Sequence, residues 1–421
     1  MDKPARSIVV VGDINHGKSS IIGRLLADTH SLPKGKLEQV EQACQKHSKP
    51  FEHAFLIDSL KDEQSQGLTI DTARIFFKTA KRRYIIIDTP GHIELLKNMI
   101  TGASRADTAL LVIDAKVGIQ ENTKRHGFLL SMLGIKQLTV LVNKMDLVSY
   151  GKDIFEGILK DYTAFLSGIG IKPLGFIPVS AKAGDMIVDR LVNLHWYNGH
   201  TVIETLEGLE KDADIEDKSF RMPVQDVYRF NGFQHNRSII AGRIESGSIG
   251  LDEGIVFYPS GKRGIVKSIE RFNLSNQVRA GAGLSIGLTF SEELNVQRGE
   301  IAAREGQAPP GVASRMRASL FWLGKEEMAK GKEYTFKLGT NRMPVELEAI
   351  KRIIDVSGSS LLQPQDIIKP YNVADCILKL TDPIAFDRAD KITATSRFVI
   401  VDGWEISAGG IVLEALYDQG R

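Results

Sequence analysis

The octapeptide Gly-Asp-Ile-Asn-His-Gly-Lys-Ser at residues 12–19 constrains the fold more tightly than any other stretch of this sequence. It fits the phosphate-binding pattern G-x-x-x-x-G-K-[ST], follows directly on the apolar run at 7–11, and leads into a helix-period stretch at 19–26. A buried strand that turns through glycines into a helix is the opening unit of a sheet covered by helices on both faces. Short apolar runs at 84–87, 108–113, 139–142 and 176–179, with a helical stretch at 125–133, continue that alternation. Runs that are apolar on both faces fit interior parallel strands. The first part of the chain is therefore expected to be an α/β domain with a doubly wound, mostly parallel sheet.

After the acidic segment 207–217 the texture changes. From Phe220 onward short strand-like runs alternate with closely spaced glycines (Gly242, Gly247, Gly250, Gly254, Gly261, Gly264), as in a small barrel or sandwich. The string Gly-Gln-Ala-Pro-Pro-Gly at 306–311 makes a second break, and β-rich runs at 334–338, 376–380 and 397–401 follow it. At 421 residues the chain is too long for one core. The expected domains are 1–215, 216–306 and 307–421.

Composition narrows the setting. Hydrophobic residues at 43% and charged residues at 25% exclude disordered, collagen-like and fibrous classes. Cys44 and Cys376 cannot build a disulfide framework or a zinc cluster, and their scarcity points to a reducing, cytoplasmic compartment. The first residues lack signal-peptide anatomy, and no apolar run reaches membrane-spanning length. A net charge of +2 offers no strong general attraction to nucleic acid or anionic membrane.

The chemistry sits at the ends of the apolar runs. In the loop itself Asp13, Asn15, His16 and Gly17 lie where backbone N–H groups turn towards phosphates, and Ser20 continues the helix start. Lys18 is expected to reach the β- and γ-phosphates and Ser19 to ligate Mg²⁺. The side chain of His16 reads as structural. Asp88-Thr89-Pro90-Gly91-His92 follows the run at 84–87, so Asp88 can hold Mg²⁺ through water and the Gly91 N–H can sense the γ-phosphate. Asn143-Lys144-Met145-Asp146 follows another run and selects the base. The Asp146 carboxylate can accept from both the N1–H and the exocyclic amine of guanine, whereas adenine presents an acceptor and no amine there. Asn143 would bind the ring N7 and support the loop, the Lys144 stem would cover a face of the base, and the backbone of Ser180-Ala181-Lys182 would meet guanine O6. Between the first loop and Asp88, the string Gly67-Leu68-Thr69-Ile70-Asp71 is placed where Thr69 could join Mg²⁺ and the γ-phosphate. His92 is the side chain suited to orienting the attacking water. A GTP-binding, GTP-hydrolysing switch is the expectation.

These motifs, with His92 directly after Asp-Thr-Pro-Gly, resemble the translation-factor superfamily of GTPases over nearly the whole chain. The resemblance implies a G domain followed by two β-barrels, and it gives Ile14 and Leu68 the role of a hydrophobic gate around the catalytic histidine. Within the superfamily, the strings 60–71, 81–92, 101–107, Arg125-His126, 143–150 and 196–199, with Asp-Pro-Ile-Ala-Phe-Asp at 382–387 and Arg-Phe-Val-Ile-Val-Asp at 397–402, are most similar to the large, GTPase subunit of bacterial ATP sulfurylase. That family implies a separate small catalytic subunit as partner, where GTP hydrolysis drives formation of adenosine 5′-phosphosulfate from ATP and sulfate. No second phosphate loop is present, so no fused adenylylsulfate kinase is expected. Departures from the family pattern are His16 in place of an acidic residue, Gln64-Ser65-Gln66 in place of a charged stretch, and Ile93-Glu94-Leu95-Leu96 in the second switch segment. The competing readings are an elongation-factor-like GTPase that binds aminoacyl-tRNA or the ribosome, and a nucleotide-binding scaffold without turnover.

Overall fold

The computed structural model describes residues 5–58, 74–88, 106, 108–135, 137–190, 192–209, 213–231, 236–271, 277–354, 360–361 and 366–417. The chain divides into two compact units, Met1–Leu209 and Glu210–Arg421.

In the first unit six strands form one sheet: β1 (Arg6–Gly12), β2 (Arg74–Lys78), β3 (Arg83–Asp88), β4 (Thr108–Asp114), β5 (Gln137–Asn143) and β6 (Gly175–Pro178), in the order β2-β3-β1-β4-β5-β6. All neighbours run parallel except β2, which is antiparallel to β3 at the sheet edge. Every residue of β4 is buried, as expected of an interior parallel strand. β2 alternates exposed Arg74, Phe76 and Lys78 with buried Ile75 and Phe77, the period of a strand with one solvated face. Among the helices described are α1 (Lys18–Asp28), α2 (Lys36–Lys46), α3 (Glu121–Met132), α4 (Lys152–Gly168) and α5 (Val202–Gly208). α1 buries Ile21, Ile22, Leu25 and Leu26, three to four residues apart and so on one face. It ends at Thr29, whose hydroxyl donates to the Leu25 carbonyl at 2.6 Å. α5 opens with a reciprocal capping box: Glu204 N–H donates to Thr201 Oγ1 at 3.1 Å, and Thr201 N–H to Glu204 Oε2 at 2.8 Å.

The second unit opens with the short helix Ala213–Asp217 and is otherwise built mainly of strands, which make two closed rings. Gly254–Tyr258, Arg263–Glu270, Ser285–Phe290, Asn236–Arg243, Arg221–Asn231 and Ile301–Arg304 pair in that order, and the last returns to the first. Phe220, Met222, Phe257, Ile240 and Leu288 fill this barrel. In the second ring Glu333–Leu338, Arg397–Asp402, Glu405–Leu416, Gly311–Trp322, Val373–Phe386 and Asn341–Ile354 pair in sequence, and Asn341–Ile354 closes on Glu333–Leu338. Trp322, Phe336, Leu378 and Ile400 are fully buried inside it. The fold is thus an α/β domain with the phosphate-loop topology, followed in the chain by two antiparallel barrels.

Arg221 fastens the two barrels together. It is only 1% exposed, and its guanidinium donates to Asp387 Oδ2 at 2.8 Å and Oδ1 at 3.0 Å and to the Ala308 carbonyl at 2.7 Å. Thr395 Oγ1 adds a bond to Asp387 at 2.7 Å. The charge is buried, but each of its partners is supplied.

Candidate functional site

Strand register gathers the sequence motifs on one rim. Val10 pairs with Asp88, Gly12 with Val112, Asp114 with Asn143, and Val142 with Pro178, so the carboxyl ends of β1, β3, β4, β5 and β6 finish side by side. β1 lies between β3 and β4, and the crevice beside the strand where connections part to opposite sides is where open α/β sheets bind ligands.

The loop between β1 and α1 closes tightly at two glycines. Gly12 has φ +148°, and a Cβ there would lie 2.5 Å from the Val112 carbonyl oxygen. Gly17 has φ +92°, and its Cβ would lie 2.3 Å from Asn143 Nδ2. Only glycine permits this left-handed turn with a neighbouring loop so close. Lys18 Nζ donates to the carbonyls of Gly12 at 2.8 Å and Asp13 at 2.9 Å, which centres the ammonium in the loop. Ser19 and Ser20 are half-buried in the first turn of α1, and Asp88 is buried at the end of β3.

His16 is 3% exposed and its Nδ1 donates to the Val112 carbonyl at 3.2 Å. Burial lowers its pKa despite that bond, so the ring is neutral and acts as a wedge between the loop and β4. Ile14 is 41% exposed, and its N–H is held by Asp13 Oδ1 at 2.7 Å.

On the other side, Asn143 is the joint between two loops. Its Nδ2 donates to the His16 carbonyl at 2.9 Å and its Oδ1 accepts from Ala181 N–H at 3.0 Å. The sequence reading gives Asn143 two tasks, the ring N7 and support of its loop, and in the structure both amide groups hold loops together. Lys144, at φ +63°, reaches back so that Nζ donates to the Asn15 carbonyl at 2.6 Å and lies 2.7 Å from Asp114 Oδ2. Asp146 stands half-buried at the rim and accepts from Ser180 Oγ at 2.7 Å, while Ala183 N–H donates to the same hydroxyl at 3.1 Å. The backbone of Lys182 is tied to α1 through Arg24, whose Nη1 donates to the Lys182 carbonyl at 3.4 Å. Leu68, Thr69, Gly91 and His92 lie outside the described residues.

Two residues at this site escape the motif reading. Asp114 closes β4 and anchors Lys144; burial works to raise its pKa, but the hydrogen bonds from Lys144 and the Lys116 N–H, with the charge of Lys144, together outweigh it and hold the carboxyl below its ordinary value. An acid ending an otherwise apolar run was the available signal. Asn122 on α3 donates to Asp13 Oδ1 at 3.1 Å and accepts from Arg125 Nη1 at 2.9 Å. Nothing local in the sequence points to that contact.

A strand-end rim with a glycine-framed loop, a lysine centred in it and a half-buried carboxylate beside it suits a nucleoside triphosphate. Residues 3–211 match the family model described as the elongation factor Tu GTP binding domain, and residues 315–413 match the GTP-eEF1A C-terminal domain-like model. Sulfate adenylyltransferase subunit 1 of Aeromonas hydrophila is 36% identical over 96% of this chain and 85% of that protein. The protein of the same name from Chromobacterium violaceum is 35% identical over 98% of this chain and 87% of its own length. The chain belongs to the sulfate adenylyltransferase subunit 1 family of translation-factor-type GTPases. As in its family, the first domain binds GTP, and the chain is a GTPase. A solved structure of sup35 complexed with GDP aligns over 99% of this chain and 95% of that one, with a TM-score of 0.46 and 22% identity.

Proposed function

We propose that this chain is the GTP-hydrolysing subunit of a heteromeric sulfate adenylyltransferase. The observation that carries the reading is the identity of about a third spread over 96% of the chain to relatives of that name, which takes in both the GTP-binding unit and the barrels. In this reading GTP and water give GDP and phosphate here. ATP and sulfate give adenosine 5′-phosphosulfate and pyrophosphate on a separate small subunit, the partner. A cytoplasmic site of action belongs to the same reading, in keeping with two free, buried cysteines.

At the nucleotide, Gly17 and the start of α1 would present N–H groups to the phosphates, and the Lys18 ammonium would move from its loop carbonyls to the β- and γ-phosphates. Asp146 would accept the two guanine donors. The frame around it, built by Asn143, Lys144 and Ser180, would keep the carboxylate from turning. Asp13, Asn15, His16, Ser20, Ala181 and Lys182 would complete the pocket chiefly through the backbone. The oxygen donors Ser19 and Asp88 fit Mg²⁺, a hard cation that retains several waters, and Thr69 would join them. Such an ion neutralises charge on the phosphates when bound. His92 would orient the attacking water, with Ile14 and Leu68 as its apolar flank; His92→Ala is expected to cut turnover at least tenfold with GTP affinity nearly unchanged.

The test of the coupled reaction is purification with associated proteins, followed by an assay of sulfate-dependent pyrophosphate release from ATP. Strong stimulation by GTP, lost with a non-hydrolysable analogue, is the expected result. GTP turnover without any effect on sulfate adenylylation, together with salt-sensitive binding of aminoacyl-tRNA, would turn the reading to the elongation-factor class.

A further inference from the structure

Beneath the base-reading loop lies a cross-link that none of the sequence motifs requires. Tyr150 follows Asp146 by four residues and Asp185 follows Ser180 by five, so each belongs to one of the two loops that would frame the base. Tyr150 Oη donates to Asp185 Oδ2 at 2.7 Å, and Asp185 is fully buried. Asn193 Nδ2 supports the same carboxylate at 3.3 Å, and Trp196 Nε1 holds the Tyr150 carbonyl at 2.9 Å. Backbone bonds run parallel to this link: Ser180 N–H to the Asp185 carbonyl at 3.2 Å and Met145 N–H to the Val179 carbonyl at 3.2 Å.

The backbone at this point is strained. Ser149 and Tyr150 are consecutive non-glycine residues at φ +52° and +55°. Left-handed conformations in side-chain-bearing residues persist only where the surroundings impose them, and they gather at functional sites. The Tyr150 proton is also directed. Burial, and then the Asp185 acceptor, push the Tyr150 hydroxyl up to about 12, so it stays protonated and gives its proton to Asp185. Ser180 Oγ donates to Asp146 Oδ1 at 2.7 Å, and the same hydroxyl lies against Tyr150.

We infer that Tyr150 and Asp185 are positioning residues for base recognition, which lock the loop of Asp146 against the loop of Ser180 so that the Asp146 carboxylate keeps one orientation. The inference rests on the GTP pocket proposed above. Neither residue touches the base; they act through Ser180 and Asp146. Their contribution should therefore exist only while Asp146 reads guanine, which a general structural role would not require.

The test is a double-mutant cycle on GTP affinity in the full chain, with Tyr150→Phe, Asp146→Ala and their combination. Tyr150→Phe is expected to weaken GTP binding about threefold to tenfold, the range set by one hydrogen bond. In the Asp146→Ala background the same change is expected to cost less than about twofold. Asn193→Ala, which removes the bonds of Nδ2 to Asp185 at 3.3 Å and to the Tyr150 hydroxyl at 3.4 Å, should show the same coupling on a smaller scale. Equal losses from Tyr150→Phe in both backgrounds, or no loss in the unaltered chain, would overturn the positioning role while leaving the pocket intact. No effect of Asp146→Ala itself would overturn the pocket and the positioning role with it.

Discussion

At the scale of single residues the site is set by close approach and by buried charge state. Gly17 combines a left-handed φ with a Cβ position inside the Asn143 amide, and that amide is pinned at both ends. Gly17→Ala is expected to destabilise the first unit by about 2 kcal/mol from backbone strain and displacement of Asn143, with GTP binding lost, as read by denaturant titration and nucleotide binding. His126 on α3 is a second such residue. It is 1% exposed, donates from Nδ1 to the Asn122 carbonyl at 2.7 Å, and burial lowers its pKa to about 4. An imidazole with a lower pKa folded than unfolded favours the fold above about pH 6.5, and this contribution fades as pH falls towards 4. Over that window His126 alone accounts for about 3 kcal/mol of lost stability. In His126→Gln, unfolding free energy measured between pH 7 and 4 should fall less steeply; an unchanged slope would remove the assignment.

At the scale of elements, the strand-turn-helix at residues 6–28 was legible because everything that makes it is local: an apolar run, glycines at the turn, and apolar side chains three and four apart. The same holds for β4 and β5, whose C-terminal residues Asp114 and Asn143 carry the chemistry. Helix α2 was not legible, since its buried residues Lys36, Val40 and Cys44 lie four apart on one face but only two of them are apolar. The edge strand β2 was also missed; its pattern is one of alternation, not a continuous apolar run. Contacts between elements were beyond reach, because Asn143 meets His16 at a separation of 127 residues and Asn122 meets Asp13 at 109. Asn143→Ala leaves the His16 carbonyl and the Ala181 N–H buried without that partner, and is expected to cost about 2–4 kcal/mol in chemical denaturation. A loss well under 1 kcal/mol would mean that the two loops stand without this joint.

At the scale of the whole molecule, the change of texture after the acidic segment 207–217 and the glycine-spaced strands from Phe220 onward marked a β-rich second half, but ring closure depends on partners far apart in sequence. Glu333–Leu338 pairs with Arg397–Asp402, and Gly311–Trp322 with Glu405–Leu416. The pin between the barrels, Arg221 to Asp387, spans 166 residues. Asp387→Ala strands a buried guanidinium and is expected to destabilise the second unit by about 3–5 kcal/mol, while replacing both partners with apolar residues of similar volume should restore much of that loss. Equal losses from the single and the double replacement would show that the pair itself, and not the stranded charge, holds the barrels.

The central claim is that these strand ends form a site that reads guanine through Asp146. The direct measurement is nucleotide affinity of Asp146→Asn for GTP and xanthosine triphosphate, side by side with the unaltered chain. An amide at this position offers a donor to the xanthine carbonyl and loses the carboxylate's double acceptance, so preference is expected to reverse from GTP to xanthosine triphosphate. Unchanged affinity and preference for GTP would contradict the claim.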